Sequence, residues 1–238
     1  SADTLRDCPQ HYSCRPGNFT GAVMDEAYLV KALELADEYD FIVASDECYS
    51  ELYFDESQPP VGLLQACVNS GRLNYKRAVV FHSLSKRSNL PGLRSGFVAG
   101  DAEVLAKFLK YRTYHGCALP VPTQLASIAA WNDETHVKAN RDLYRQKFSA
   151  VTQILSPVLP VAIPDASFYL WPKTPVEDTI FAQKLFAQKN VTVLPGQFLA
   201  RDTHAGNPGK GFVRMALVAP LAQCVDAAER IKSFVEGL

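Results

Sequence analysis

Lys86 stands in the run HSLSKRSNLPGLRSG (82–96), directly after the apolar residues Ala78, Val79, Val80 and Phe81. A lysine that leaves a buried segment among serines 83, 85 and 88, with Arg94 eight residues on, is surrounded by hydroxyls and a guanidinium. Two other polar groups follow the same plan. Asp46 and Tyr49 come just after FIVAS (41–45), and Asn18 lies in RPGNFTG (15–21), ahead of a helical pattern. Near the far end, Arg214 interrupts the apolar run FVRMAL (212–217).

An amine, a carboxylate, a phenol, hydroxyls and arginines make a set that suits pyridoxal phosphate. The amine can form an imine with its aldehyde. A carboxylate keeps the ring nitrogen protonated, so that the ring can accept electrons. A phenol or an amide donates to the ring oxygen, and hydroxyls with a guanidinium take the phosphate. A lysine released from the imine can carry a proton between two carbons. Taken singly, each residue has a plainer reading. A lysine after a strand is a solvated loop residue, Asp46 a cap or turn former, Arg94 an ion-pair partner and Asn18 a turn residue.

The elements that must position these groups are legible in outline. The spacing predicts a helix over 25–39, capped by Asp25, with Leu29, Ala32, Leu33 and Ala36 on one face. Residues 41–45, 78–82 and 96–100 read as short strands. None alternates polar with apolar, which suits a parallel sheet covered on both sides. Polar groups at the carboxyl ends of such strands are where ligands collect. Helical patterns follow at 102–112 and 122–132. A longer one runs from Asp133 to Ser156, with Leu143, Phe148, Val151 and Leu155 as a loose stripe. Prolines 157, 160, 164, 172 and 175 then crowd the strand SFYLW (167–171). A helix at 178–189, strands at 191–194 and 212–217 and a helix at 219–236 complete the pattern. Residues 1–150 read as an α/β sheet domain and 151–238 as a smaller α+β domain.

The chain's 238 residues and 47% hydrophobic content allow a sizeable core. Its 24 basic and 25 acidic residues leave a net charge of -1, which argues against nucleic acid as a partner. No apolar run approaches the ~18 residues of a membrane span, and no partnership with a membrane is expected. The start of the chain, SADTLRDCPQHYSC, lacks the apolar centre of a signal peptide. The six cysteines include no CxxC pair, so they read as reduced thiols of a cytoplasmic protein, and no metal site is expected.

The lysine run, SDECY (45–49), GNFTG (17–21) and GFVRMAL (211–217) occur in an order that resembles the class I/II aminotransferases, fold-type I enzymes that depend on pyridoxal phosphate. The resemblance implies a three-layer α/β/α large domain and a smaller C-terminal domain. It implies that Lys86 is the imine-forming lysine and proton carrier, and that Ser83 and Arg94 hold the phosphate. Asp46 would pair with the ring nitrogen, Tyr49 and Asn18 with the ring oxygen, and Arg214 with the substrate α-carboxylate. SFYLW and VTVLPGQFL are similar to segments of the family's small domain. The wording of SDECYSELYFDE and KYRTYHGCALP is similar to the branch acting on N-succinyldiaminopimelate in lysine biosynthesis. In that branch, glutamate and 2-oxoglutarate exchange an amino group with N-succinyl-2-amino-6-oxopimelate. Arg112 reads either as a contact for a distal acidic group or as a surface residue at a helix end. A homodimer is implied, since the family's active site lies at a dimer interface.

The sequence departs from the pattern in three places. Phe19 stands where the family has proline. The residues before Pro16 are polar and unpatterned where a strand is expected. No glycine-rich phosphate loop or ring-stacking aromatic is found ahead of Asn18. The large domain is therefore expected to be incomplete, and the chain a fragment of a longer enzyme. The alternatives are an inert or regulatory aminotransferase-like module, or an enzyme of another pyridoxal phosphate reaction such as β-elimination.

Overall fold

A computed structural model describes residues 5–18, 20–116 and 118–238. The expectation about Phe19 lies outside the described residues. Contacts divide the chain into one unit running to Asn18 and continuing over Ala22–Ala139, and a second made by Asn140–Leu238 with the short stretch ending at Gly21.

The first unit is built on a sheet ordered β1 (Gln10–Cys14), β2 (Ile42–Asp46), β3 (Ala78–Ser83), β4 (Gly96–Gly100). β1, β2 and β3 run parallel, with Cys14 opposite Asp46 and Asp46 opposite Phe81. Their carboxyl ends therefore share one edge. β4 is antiparallel to β3, with Ser83 opposite Gly96, so the expectation of an all-parallel sheet is corrected. The cause is the short return from Ser83. A one-turn helix α3 (Leu84–Arg87) and a 3-10 turn at Pro91–Leu93 reverse the chain, and the Leu84 N–H closes on the Ser95 carbonyl at 3.1 Å. A parallel crossover needs a longer connection that spans the sheet.

β1 is a second correction, because the polar start of the chain does contain a strand. Only Ser13 of the five residues is buried, and Tyr12 stands more than half exposed. A strand with one neighbour is held by its backbone ladder, which hydropathy does not report.

α1 (Glu26–Tyr39) forms as its sequence dictates. Asp25 accepts the Tyr28 N–H at 2.8 Å, and Leu29, Ala32, Leu33 and Ala36 are buried. A shorter helix not anticipated from the sequence, α2 (Leu63–Asn69), buries Leu63, Ala66 and Cys67. These residues pack with Phe41, Val43, Ala78 and Val80 into one core. α4 (Ala102–Tyr114) follows β4 and is capped by Asp101. α5 (Val121–Trp131) comes next. α6 (Thr135–Leu155) begins in the first unit and continues in the second.

In the second unit, β5 (Tyr169–Leu170), β6 (Leu194–Pro195) and β7 (Val213–Ala216) form an antiparallel sheet ordered β5-β7-β6. The strands are shorter than predicted, and 191–193 is not strand. Pro172 and Pro195 cannot donate to a ladder, and Ser167 enters with φ 86°. Phe148, Val151 and Leu155 of α6, Leu170, Val213 and residues of α7 (Asp178–Lys189) and α8 (Leu221–Val235) are buried. Phe181 and Phe234 meet edge-on at 5.3 Å. Leu143 is exposed and Tyr144 takes its place inside, since the helical stripe passes through 144, 148, 151 and 155. Among the described residues no helix is long and apolar enough to cross a membrane. Five described cysteines are free thiols.

Candidate functional site

Asp46 ends β2 at the shared edge of the parallel strands. Its Oδ2 accepts the Tyr12 hydroxyl at 2.7 Å and its Oδ1 accepts the Cys48 N–H at 3.1 Å. The carboxylate is thus aimed by a neighbouring strand and by its own following turn, whose Cys48 thiol also bonds to it. Its charge is felt by its neighbours. Burial and then Asp46 push the Cys14 thiol up to about 11 and the Cys48 thiol up to about 12. Burial and the bond to Asp46 also raise the Tyr12 phenol well above its ordinary value. These thiols are therefore protonated and poor nucleophiles at neutral pH.

Tyr49 is buried three residues on. The Lys86 ammonium lies 6.0 Å from the centroid of its ring, within cation–π reach. The Lys86 charge also acts on the Cys48 thiol, offsetting a small part of its rise. The structure thus brings Asp46, Tyr49 and Lys86 together from two adjacent strand ends.

Ser83 caps α3, its Oγ accepting the Ser85 N–H at 3.1 Å and lying 2.9 Å from the Ser85 hydroxyl. The Ser83–Gly96 pairing and a Ser83 Oγ–Ser95 carbonyl contact of 3.3 Å lay the segment after Arg94 beside Ser83. Ser95 is buried and bonded to Ser127 of α5 at 2.7 Å. Arg94 itself takes a left-handed conformation, φ 53°. Its guanidinium is exposed and donates to the Pro91 carbonyl at 3.0 Å, so the structure brings its backbone near Ser83 and leaves its charged group outside.

Asn18 follows β1 in a turn that the Gly17 N–H closes on the Ala22 carbonyl at 3.0 Å. Arg214 belongs to the second unit. It lies on β7 opposite Leu194, with its guanidinium 4.3 Å from the centroid of the Tyr169 ring. Arg112, in the last turn of α4, lines a cavity of about 790 Å³ with Phe81, Phe97, Leu105 and Leu109. That cavity is apolar and holds none of the candidate cofactor residues.

A buried group was not anticipated. Glu47, next to Asp46, is 5% exposed. It accepts the Ser45 hydroxyl at 2.9 Å and the Leu63 N–H at 2.8 Å, and it lies 3.3 Å from His82 Nε2 and 3.9 Å from the Arg15 guanidinium. Burial disfavours its ionisation, but the bonds from His82, Leu63 and Ser45 outweigh burial and hold the carboxyl below its ordinary value. Strand alternation sends Asp46 and Glu47 to opposite faces, so their partners differ. That alternation, applied to the Asp-Glu pair, was the signal available in the sequence.

The chain's residues 12–231 match the family model for aminotransferase class I and II. The chain belongs to this family. Class I and II aminotransferases depend on pyridoxal phosphate. The chain is 36% identical over 221 residues to a probable aminotransferase of Mycobacterium tuberculosis, covering 92% of this chain and 50% of that protein. It is 34% identical over 222 residues to the LL-diaminopimelate aminotransferase of Aquifex aeolicus, covering 92% of this chain and 54% of that protein. An aminotransferase structure from Neisseria meningitidis superposes with a TM-score of 0.93 at 54% identity, covering 98% of this chain and 59% of that one. A probable N-succinyldiaminopimelate aminotransferase of Thermus thermophilus superposes at 0.84 with 29% identity, covering 98% of this chain and 60% of that one. The chain therefore spans about half the length of the curated relatives it matches, and it has part of the fold of the fold-type I aminotransferases.

The donor set fits part of what pyridoxal phosphate requires. An amine lies beside a buried phenol, and a carboxylate stands at the adjacent strand end.

Proposed function

We propose that this chain carries the lysine side of an aminotransferase active site and that the enzyme it builds moves an amino group between glutamate or 2-oxoglutarate and an amino or oxo acid. The observation that carries this reading is the meeting of Lys86, Tyr49 and Asp46 at one sheet edge, within a chain of the class I and II family. Pyridoxal phosphate, when bound, supplies an aldehyde conjugated to a ring that accepts electrons. Lys86 Nζ anchors that aldehyde and, when free, moves the proton at the substrate α-carbon. Asp46 holds a proton on the ring nitrogen. Tyr49 and Asn18 would donate to the ring oxygen and Ser83 would bind the phosphate, joined by Arg94 once its guanidinium turns in from the Pro91 carbonyl. The Arg214 fork suits a carboxylate bidentately and takes the substrate's.

The acceptor class that best suits the relatives' printed names is a diaminopimelate skeleton, as in N-succinyl-2-amino-6-oxopimelate of lysine biosynthesis. A cytoplasmic homodimer is the assembly we propose for the enzyme.

The test is covalent. Purified protein mixed with pyridoxal phosphate and borohydride gives a reduced adduct that peptide mass spectrometry places on Lys86. Lys86→Ala gives none, and amino transfer from glutamate falls about 10²-fold or more. An undiminished rate in Lys86→Ala overturns the assignment. A panel of oxo-acid acceptors, the succinylated pimelate included, tests the substrate.

A further inference from the structure

Three strand ends carry the proposed cofactor residues, and one buried carboxylate touches all three. Asn18 lies three residues after Arg15, Asp46 immediately precedes Glu47, and Lys86 lies four residues after His82. Arg15, Ser45 and His82 all meet Glu47, from the ends of β1, β2 and β3. We infer that Glu47 is a positioning residue, whose carboxylate ties these strand ends so that Asn18, Asp46 and Lys86 leave the sheet from fixed points. This inference rests on the reading of the site given above.

The surroundings are built for that carboxylate. Arg15 is itself buried and donates to the Val61 carbonyl at 2.8 Å and the Met24 carbonyl at 3.2 Å. Gly62 admits the carboxylate, since a Cβ there would stand 2.9 Å from Glu47 Oε2. The next N–H, that of Leu63 at the start of α2, donates to the other oxygen. Backbone bonds from the Arg15 N–H to the Asp46 carbonyl, 2.7 Å, and from the Glu47 N–H to the Phe81 carbonyl, 2.9 Å, carry the same ties along the chain. His82 is fixed on its other side by stacking on Phe97, ring centroids 5.0 Å apart. Arg15 Nε and Nη1 are buried without a hydrogen-bond partner, so Glu47 holds this guanidinium by charge at 3.9 Å, and losing the carboxylate leaves it buried and unpaired.

The experiment uses Glu47→Gln, which keeps the shape and removes the charge, and His82→Phe, which keeps the stacking on Phe97 and cuts only the β3 tie. Amide hydrogen exchange is followed without cofactor, and uptake of pyridoxal phosphate by absorbance. In Glu47→Gln, exchange rises in 15–18, 45–47 and 82–86 together, while 140–238 is unchanged. Cofactor affinity falls about tenfold and the pH midpoint of the lysine-bound absorbance band moves. In His82→Phe only 82–86 loosens, and Glu47→Asp restores part of the lost affinity. Faster exchange confined to the start of α2 overturns the inference, as does cofactor binding in Glu47→Gln equal to wild type. A wild-type chain with no adduct on Lys86 overturns the proposed function alone. In that case the exchange pattern still decides whether Glu47 ties the strands.

Discussion

Helices α1 and α4 are similar in length and both are capped by an aspartate, yet they end in opposite situations. α1 buries four residues against β2 and α2. α4 buries none, and it leaves Phe108 37% and Leu109 69% exposed beside Phe97 on β4, which is 47% exposed. Caps and apolar residues suffice to make a helix. Burial needs a neighbouring layer, and among the described residues α1 has a fuller one than α4. The rim near β4 is held instead by aromatic and ionic contacts. Trp131 meets Phe97 edge-on at 5.1 Å and lies under Arg87 at 5.0 Å. Arg87 also pairs with Glu134, and His136 bridges Asp133 at 2.7 Å and Ser88 at 2.8 Å.

The largest expected difference between the two regions is in stability. Leu33→Ala costs about 2–5 kcal/mol by urea denaturation, because it empties a filled site. Leu109→Ala stays within ~0.5 kcal/mol, as for other exposed positions. Equal losses would break the contrast. A second difference is in surface chemistry. Replacing Phe97 and Leu109 by aspartate lowers the binding of a hydrophobic dye and leaves the far-ultraviolet dichroism intact, since exposed apolar patches are what such dyes report. Dye binding that stays the same means the patch is covered in solution.

The smallest effect is pH-dependent. Bonds from His136 and the Thr135 N–H hold the Asp133 carboxyl down, from 3.8 to about 2. A depressed folded-state value stabilises above the unfolded value, and the gain is lost as pH falls from about 3.8 towards 2. Asp133→Asn should flatten the stability curve in that window, so that the variant is less stable than wild type near neutrality and the two converge as pH falls to about 2. A curve of unaltered slope would remove these charges from the account of the rim.

Much of the fold was legible because it is locally encoded. Asp25, the apolar face of α1 and the span of α7 follow from caps and a 3.6-residue period. The strands after Tyr39 and Lys76 were legible as apolar runs. β1 was not, since its five residues are mostly polar and their pairing with β2 is a backbone matter. The site divides in the same way. Lys86, Tyr49 and Asp46 come together where their strands end, as their positions after apolar runs imply. The Arg94 guanidinium instead turns to the Pro91 carbonyl, because a left-handed residue in a reversing loop aims its side chain by local geometry.

The sequence by itself determined which residues could form helices, which polar groups follow buried runs and to which family the motifs correspond. Only the tertiary structure decided that β4 runs antiparallel, that α4 is left uncovered and that Glu47 joins three strand ends. The physical reason is range. Caps, turns and periodicity act between residues a few positions apart. Strand direction and the burial of a charge depend on partners tens of residues away, and those appear only when the chain has folded.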